Sequence, residues 1–89
     1  MGGRELMKYR KKPVVIEAIQ WTTDNWLIIN AFANTEAYTI ERDILRGTLK
    51  VATTEGVMTA KKGDWIIKGV KGEFYPCRND IFEATYEPV

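Results

Sequence analysis

The chain has 89 residues, of which 45% are hydrophobic and 28% charged, and its formal net charge is +1. This length fits one domain, and the balance of charge disfavours a nucleic-acid binder of the kind that is basic overall. Histidine is absent and cysteine occurs once, which excludes imidazole bases, imidazole metal sites, a disulfide framework within the chain and thiolate clusters for zinc.

Residues 1–12 form a basic lead-in, with the following cations: Arg4, Lys8, Arg10, Lys11 and Lys12. Such a segment is typical of an arm that contacts phosphates, and equally of a solvated stretch whose charges protect the edge of the first strand. No apolar stretch of signal type follows it, so we predict no export signal, and no run in the chain predicts a membrane span. We expect a single domain over residues 13–89.

Residues 14–21 (VVIEAIQW) predict the first strand, because β-branched and apolar residues run almost without interruption. Glu17 interrupts the run and marks either a functional carboxylate or the point where the sheet meets solvent or a lysine. The segment Thr22-Thr23-Asp24 predicts a helix start in which a threonine hydroxyl caps the free N–H groups. The predicted helix covers residues 25–33.

One apolar stripe along that helix is predicted from the spacing of Leu27, Ile28, Ala31 and Phe32, and we expect it to face the core. Trp26 lies off this stripe. It either covers the rim of the sheet or offers a contact to a partner.

The middle of the chain is ambiguous, because residues 37–40 favour the start of a strand and residues 41–45 favour a helical turn. Residues 48–53 alternate in polarity, which predicts a half-exposed strand, and residues 57–60 return as the second arm of a hairpin.

Residues 61–78 (KKGDWIIKGVKGEFYPCR) predict a second hairpin, in which Gly69 and Gly72 supply the backbone freedom of the turn. Pro76 lacks an N–H, so its strand should lie at a sheet edge or end there. Alternation places Trp65 and Ile67 on one face, opposite Ile66 and Lys68, and it places Tyr75 opposite Phe74 and Pro76.

A single helical turn near Asn79 and Asp80, followed by a terminal strand over residues 84–87, completes the predicted order. The predicted class is α+β, with one helix packed on a small, curved, mainly antiparallel sheet that forms a roll or a partly open barrel.

Catalytic chemistry is not predicted, because the carboxylates are scattered along the sequence. Asp64 and Asp80 flank the hairpin, and we expect both to serve in turns and caps. Cys77 lacks an imidazole base and is expected to be a structural thiol. We predict no catalytic residue, no metal site and no cofactor.

Aromatic and basic side chains interleave along the hairpin, and we predict a ligand site formed by Trp65, Lys68, Lys71, Tyr75 and Arg78. Aromatic rings stack a planar base and cations hold phosphates, so the predicted ligand is a small anionic nucleotide. Interfaces between identical subunits favour the same residue types, so a homo-oligomer explains them equally well. The alternatives are a module that binds another protein and a nucleic-acid binder, the latter disfavoured because acidic residues dilute the basic cluster.

Two long strings, KYRKKPVVIEAIQWTTDN and EGVMTAKKGDWIIKGVKGEFYPCRNDIFEATYEPV, resemble a family of short proteins of unknown function that is common in tailed phages and prophages. Residues 27–50 resemble it weakly. The resemblance implies a setting in the cytoplasm of an infected bacterium and brings no catalytic residues. We therefore expect a non-catalytic phage accessory protein that is a homo-oligomer and acts by binding. It sequesters a nucleotide such as a host defence signal or, as the alternative, inhibits a host or phage protein.

Overall fold

A computed structural model describes residues 6–10 and 12–89, so Arg4 and Lys11 of the basic lead-in lie outside the described residues. The elements follow in this order: β1 Glu17–Gln20, α1 Trp26–Ala33, β2 Ile40–Asp43, β3 Thr48–Thr53, β4 Gly56–Ala60, β5 Trp65–Lys68, β6 Phe74–Cys77 and α2 Asn79–Thr85. The predicted α+β class is confirmed. Within residues 6–10 and 12–89, no helix has the length and apolar character needed to cross a membrane.

The strands form two antiparallel sheets of three strands each. The first sheet has the order β1-β5-β6 and the second has the order β2-β3-β4, and strands β3 and β4 lie against β6. The sequence suggested one curved sheet. The strands divide instead, because β1 pairs with the distant β5 and leaves β2 to pair with β3.

The core lies between the two sheets and α1, and it buries these side chains: Trp21, Ile29, Ala33, Ile40, Leu49, Val51, Ala60, Ile66 and Phe74. Phe74 is the aromatic centre of this core, because the edges of Phe32 and Tyr38 meet it with ring centroids 5.3 and 5.9 Å away. Trp21 donates from its indole nitrogen to the carbonyl of Gly47 at 2.8 Å, which ties the end of β1 to the β2–β3 turn.

The buried stripe of α1 differs from the predicted one. Ile29 and Ala33 are buried, whereas Leu27 is 80% exposed and Ile28 is 59% exposed. Trp26 packs against the core with the Arg42 guanidinium 5.2 Å above its ring, so it covers the core as one of the predicted alternatives. Phe32 packs against the core as predicted, and the prediction was wrong for Leu27, Ile28 and Ala31, because the helix is apolar at nearly every position and its sequence does not mark a solvent side.

The predicted threonine cap at the start of α1 is also wrong. Asn25 precedes the helix, and no side-chain bond caps the first turn. The Asn25 side chain bonds backward instead: its amide donates to the Gln20 carbonyl at 2.8 Å, and its oxygen accepts from the Thr22 amide and hydroxyl at 3.0 Å. These bonds fix the corner between β1 and α1.

Two further differences concern the ambiguous middle and the C-terminal part of the chain. Residues 41–43 belong to β2 and not to a helical turn, and the turn that follows ends at Gly47 with a φ of +67°. The predicted strand over residues 84–87 is wrong, because α2 continues to Thr85. Phe82 and Tyr86 lie one helical turn apart, and the Tyr86 amide donates to the Phe82 carbonyl at 2.9 Å.

Candidate functional site

The first sheet has a face that points away from the core, and we call it the outer face. In the strand register, Ala18 lies opposite Ile67 and Ile67 lies opposite Tyr75, so these three side chains share one side. A second row on the same side is formed by Gln20, Trp65 and Cys77. The predicted hairpin alternation is confirmed, since Ile66 and Phe74 belong to the core on the other side.

Helix α2 covers part of the outer face through aromatic stacking. The Phe82 ring lies on the Trp65 indole with ring centroids 4.0 Å apart and an angle of 8° between the planes. Tyr86 continues the row, 5.0 Å from Phe82. Because Phe82 and Tyr86 are four residues apart, a single helical turn presents both rings to the sheet.

Asn79 fastens the first turn of α2 to the sheet. Its side-chain oxygen accepts a hydrogen bond from the Trp65 indole nitrogen at 2.9 Å and another from the Gln20 amide at 3.3 Å. The Gln20 amide also donates to the Gly63 carbonyl at 2.9 Å. One acceptor therefore joins β1, β5 and α2, and it fixes the orientation of the Trp65 ring.

A cavity of about 320 Å³ opens beside this stack, between the residues that precede β1, strand β5 and the C-terminal segment. Its apolar lining consists of Val14, Val15, Ile16, Ala18, Trp65, Phe82, Tyr86, Pro88 and Val89. Glu87 adds a carboxylate to the lining. The volume falls at the lower end of the range for cavities that hold ligands. We call this the outer-face cavity.

The two aromatic residues of the predicted ligand site lie on the outer face. Trp65 lines the cavity, with one face of its ring occupied by Phe82. Tyr75 is half-buried and lies outside the cavity lining. Burial, and then the neighbouring Tyr86 hydroxyl, raise the pKa of Tyr75 to about 12, which keeps this phenol neutral near pH 7.

The three cations of the predicted site are not gathered around the cavity. Lys68 is paired with Phe74 in the strand register, so its side chain lies on the inner side of the sheet, opposite Trp65, and there it is exposed. Lys71 is exposed in the β5–β6 turn. Arg78 donates from Nε and Nη2 to the carboxylate of Asp80 at 3.2 and 2.6 Å, so its charge already has a partner.

The titratable groups near the hairpin are poorly suited to catalysis. Burial, and then the charges of Asp64 and Asp80, raise the pKa of the Cys77 thiol, which makes it a weaker nucleophile at neutral pH. The hydrogen bond from Arg78 lowers the pKa of the Asp80 carboxyl, away from the range of a general acid. Among the described residues, no group of three His, Cys, Asp or Glu side chains could hold a metal ion.

Several residues of the outer-face cavity were missed from the sequence. Phe82 and Tyr86 were assigned to a short turn and a strand, although their spacing of four is typical of one helix face. Ala18 could not be recognised as a site residue from the sequence, because it contributes only the space that its small side chain leaves open. The hairpin alternation, by contrast, placed Trp65 correctly on the face opposite Ile66, and the structure shows that this is the outer face.

Comparison of the chain with protein-family models, with curated proteins and with solved structures gave no match. The resemblance to a phage family therefore stays a prediction, and function is argued from the geometry of the outer-face cavity.

Proposed function

We propose that this chain is a non-catalytic accessory protein of a phage or prophage that acts in the bacterial cytoplasm by binding a partner protein. The observation that carries the proposal is the apolar, aromatic-lined outer-face cavity of about 320 Å³. A cavity of this kind accepts an apolar side chain of a partner segment, and burying one such side chain contributes about 1.5–3 kcal/mol.

The charge around the cavity favours a partner segment that is basic. Glu87 lines the cavity, and Glu83 follows Phe82 on α2. Both side chains are exposed, and in the part of the chain that the structure describes, ion pairs form only between Asp43 and Arg46 and between Arg78 and Asp80. A partner that offers an apolar anchor beside a lysine or arginine therefore fits this surface best.

The nucleotide hypothesis has weaker support at the same site. A nucleotide phosphate needs cations close to the stacking ring, but Lys68 lies on the opposite side of the sheet from Trp65. The Arg78 guanidinium is engaged by Asp80. The carboxylate of Glu87 in the cavity lining repels an anionic ligand.

A peptide library displayed on phage tests the proposal. We expect selection on the wild-type chain to enrich peptides with an aromatic or branched apolar residue next to lysine or arginine. The matched variants are Ala18→Phe, which fills the cavity, and Val57→Phe, which adds the same ring to an exposed position of the second sheet. Ala18→Phe should weaken the enriched peptides by roughly 10-fold or more, and Val57→Phe should leave their affinity unchanged.

Equal binding by the wild-type chain and the Ala18→Phe variant would contradict a role for the cavity. Calorimetry with cyclic and linear nucleotides decides the alternative on the same samples. Heat from a nucleotide that is lost in an Arg78→Ala variant would favour nucleotide sequestration over protein binding.

A further inference from the structure

The segment that precedes the cavity wall has exposed apolar side chains. We call residues 6–10 and 12–13 the N-terminal arm. Leu6, Met7 and Tyr9 are 91%, 60% and 89% exposed. The radius of gyration is 16.0 Å, against about 12 Å for a compact domain of this length. The longest dimension is 58 Å, beside widths of 27 and 22 Å.

We propose that two copies of this chain exchange their N-terminal arms, so that the arm of each copy occupies the outer-face cavity of the other. This inference rests on the proposed function, because it names an occupant of the same cavity. The occupant has the chemistry that the cavity favours: apolar side chains at Leu6, Met7 and Tyr9, placed between cations.

Charge complementarity supports this pairing. The described part of the arm carries Lys8, Arg10 and Lys12, all exposed and outside the two ion pairs that the described residues form. The surface around the cavity carries Glu83 and Glu87, which are likewise exposed and outside those pairs. Opposite charges across an interface fix the register and accelerate association.

A chain does not readily place its own arm in its own cavity. Val14 and Val15, which follow the arm, already form a wall of the cavity of their own chain, and Lys12 and Pro13 lie beside its C-terminal segment. Folding back would require a reversal of the chain, and the single turn-forming residue in residues 6–15 is Pro13, because this stretch contains no glycine, asparagine, aspartate or serine. Pro13 has a fixed φ, and the two β-branched valines that follow it favour extended backbone.

Reciprocal exchange produces a closed dimer. Each copy gives one arm and receives one arm, so the two contacts are related by a twofold axis and no free cavity remains to extend the assembly. The exchanged arm also competes with any other partner of the cavity. Loss of exchange should therefore raise the apparent affinity of the peptides selected above.

Size-exclusion chromatography with light scattering tests the proposal through a charge swap. The wild-type chain should have twice the mass of one chain. Lys8→Glu with Arg10→Glu changes residues 6–10, which hold Leu6, Met7 and Tyr9, from two positive to two negative charges, and Glu83→Lys with Glu87→Lys makes the cavity surface basic. Each double variant alone sets like charges against each other and should have the mass of one chain.

An equimolar mixture of the two double variants should recover the mass of two chains, because each arm then meets a cavity surface of opposite charge. All four substituted side chains are exposed, so circular dichroism should be unchanged. A wild-type chain with the mass of one chain, a dimer that persists in either variant alone, or a mixture that stays monomeric would each overturn arm exchange. Peptide binding that depends on Ala18 would still stand in all three cases, so this failure is distinguishable from failure of the proposed function.

Discussion

The two faces of the first sheet are covered in different ways. On the inner face, Ile66 and Phe74 are buried by α1 and by strands of the second sheet. On the outer face, the cover is α2, a helix of seven residues in which no residue is fully buried. Ile67 is sealed at the centre of the outer face, but the cavity remains open beside it.

This difference indicates how the molecule combines a stable fold with an accessible site. Closing the inner face involves many elements, so opening it requires unfolding of the domain. The outer cover is held by the Phe82 stack and by the hydrogen bonds that Asn79 accepts. Elements held by few contacts open locally at a lower free energy than the core does. The outer face is therefore the side on which a partner can be accommodated.

The inner face should show the largest effect of a single truncation. Ile66 is fully buried in the core, so Ile66→Ala should lower the free energy of unfolding by about 2–5 kcal/mol, since it removes apolar contacts and leaves a cavity. Urea denaturation measures this loss. The control is Val70→Ala in the exposed β5–β6 turn, which should change stability by less than about 0.5 kcal/mol. Similar losses for both variants would contradict the assignment of Ile66 to the core.

The cover of the outer face should show an intermediate effect. Phe82→Ala removes the ring that stacks on Trp65, and we expect a loss of about 1–2 kcal/mol, of which the stack itself contributes about 0.5–1.5 kcal/mol. Hydrogen exchange should accelerate in α2 while the amides of β5 stay protected.

The control for this prediction is Ile81→Ala, which truncates a half-exposed side chain of the same helix outside the stack. Equal acceleration of exchange in α2 by both variants would show that helix propensity, and not the aromatic stack, holds the cover in place.

A smaller effect that depends on pH should show how closely the C-terminal segment covers Tyr75. The pKa of Tyr75 is raised from 10.0 to about 12, so between these values the phenol stays neutral in the folded chain and ionises in the unfolded chain. Stability should therefore fall as pH rises from about 10 to about 12, and Tyr75→Phe should make that fall shallower. Urea denaturation across this range measures the slope.

The control for the alkaline effect is Tyr9→Phe, because Tyr9 is exposed in the N-terminal arm. This variant should leave the slope of stability against pH unchanged. If Tyr9→Phe flattens the slope as much as Tyr75→Phe does, the loss of stability at high pH does not come from the raised pKa of Tyr75 on the outer face.

Local patterns were enough to predict much of the first sheet. The β5–β6 hairpin and its alternation follow from apolar runs on either side of Gly72, whose φ is +81°. The phase of α1 could not be predicted in the same way, because WLIINAFA has no charged residue to mark a solvent side. Its exposed positions were decided by the packing of Trp26 and Ile29 against distant strands.

The candidate site was predicted less well than the sheet, because it depends on contacts between distant parts of the sequence. Its walls come from residues 14–16, from β5 and from α2, which only the pairing of β1 with β5 brings together. The aromatic half of the predicted site, Trp65 and Tyr75, does share one face. The alternation that places Trp65 outward also places Lys68 on the other side of the sheet. The predicted site was therefore too basic, because residues that are close in sequence do not all share one face.

The Lys68→Ala variant should show the smallest effect, and it tests most directly whether the two faces of the first sheet act independently. The Lys68 side chain is exposed on the side of the sheet opposite Trp65, so Lys68→Ala should change stability by less than about 0.5 kcal/mol. It should also leave the affinity of cavity-binding peptides unchanged, because the substitution removes no part of the cavity lining. Competition binding with a fluorescent peptide measures this affinity. A clear loss would mean that a partner wraps around the end of β5 and contacts both faces, and the separation of a structural face from a binding face would then fail.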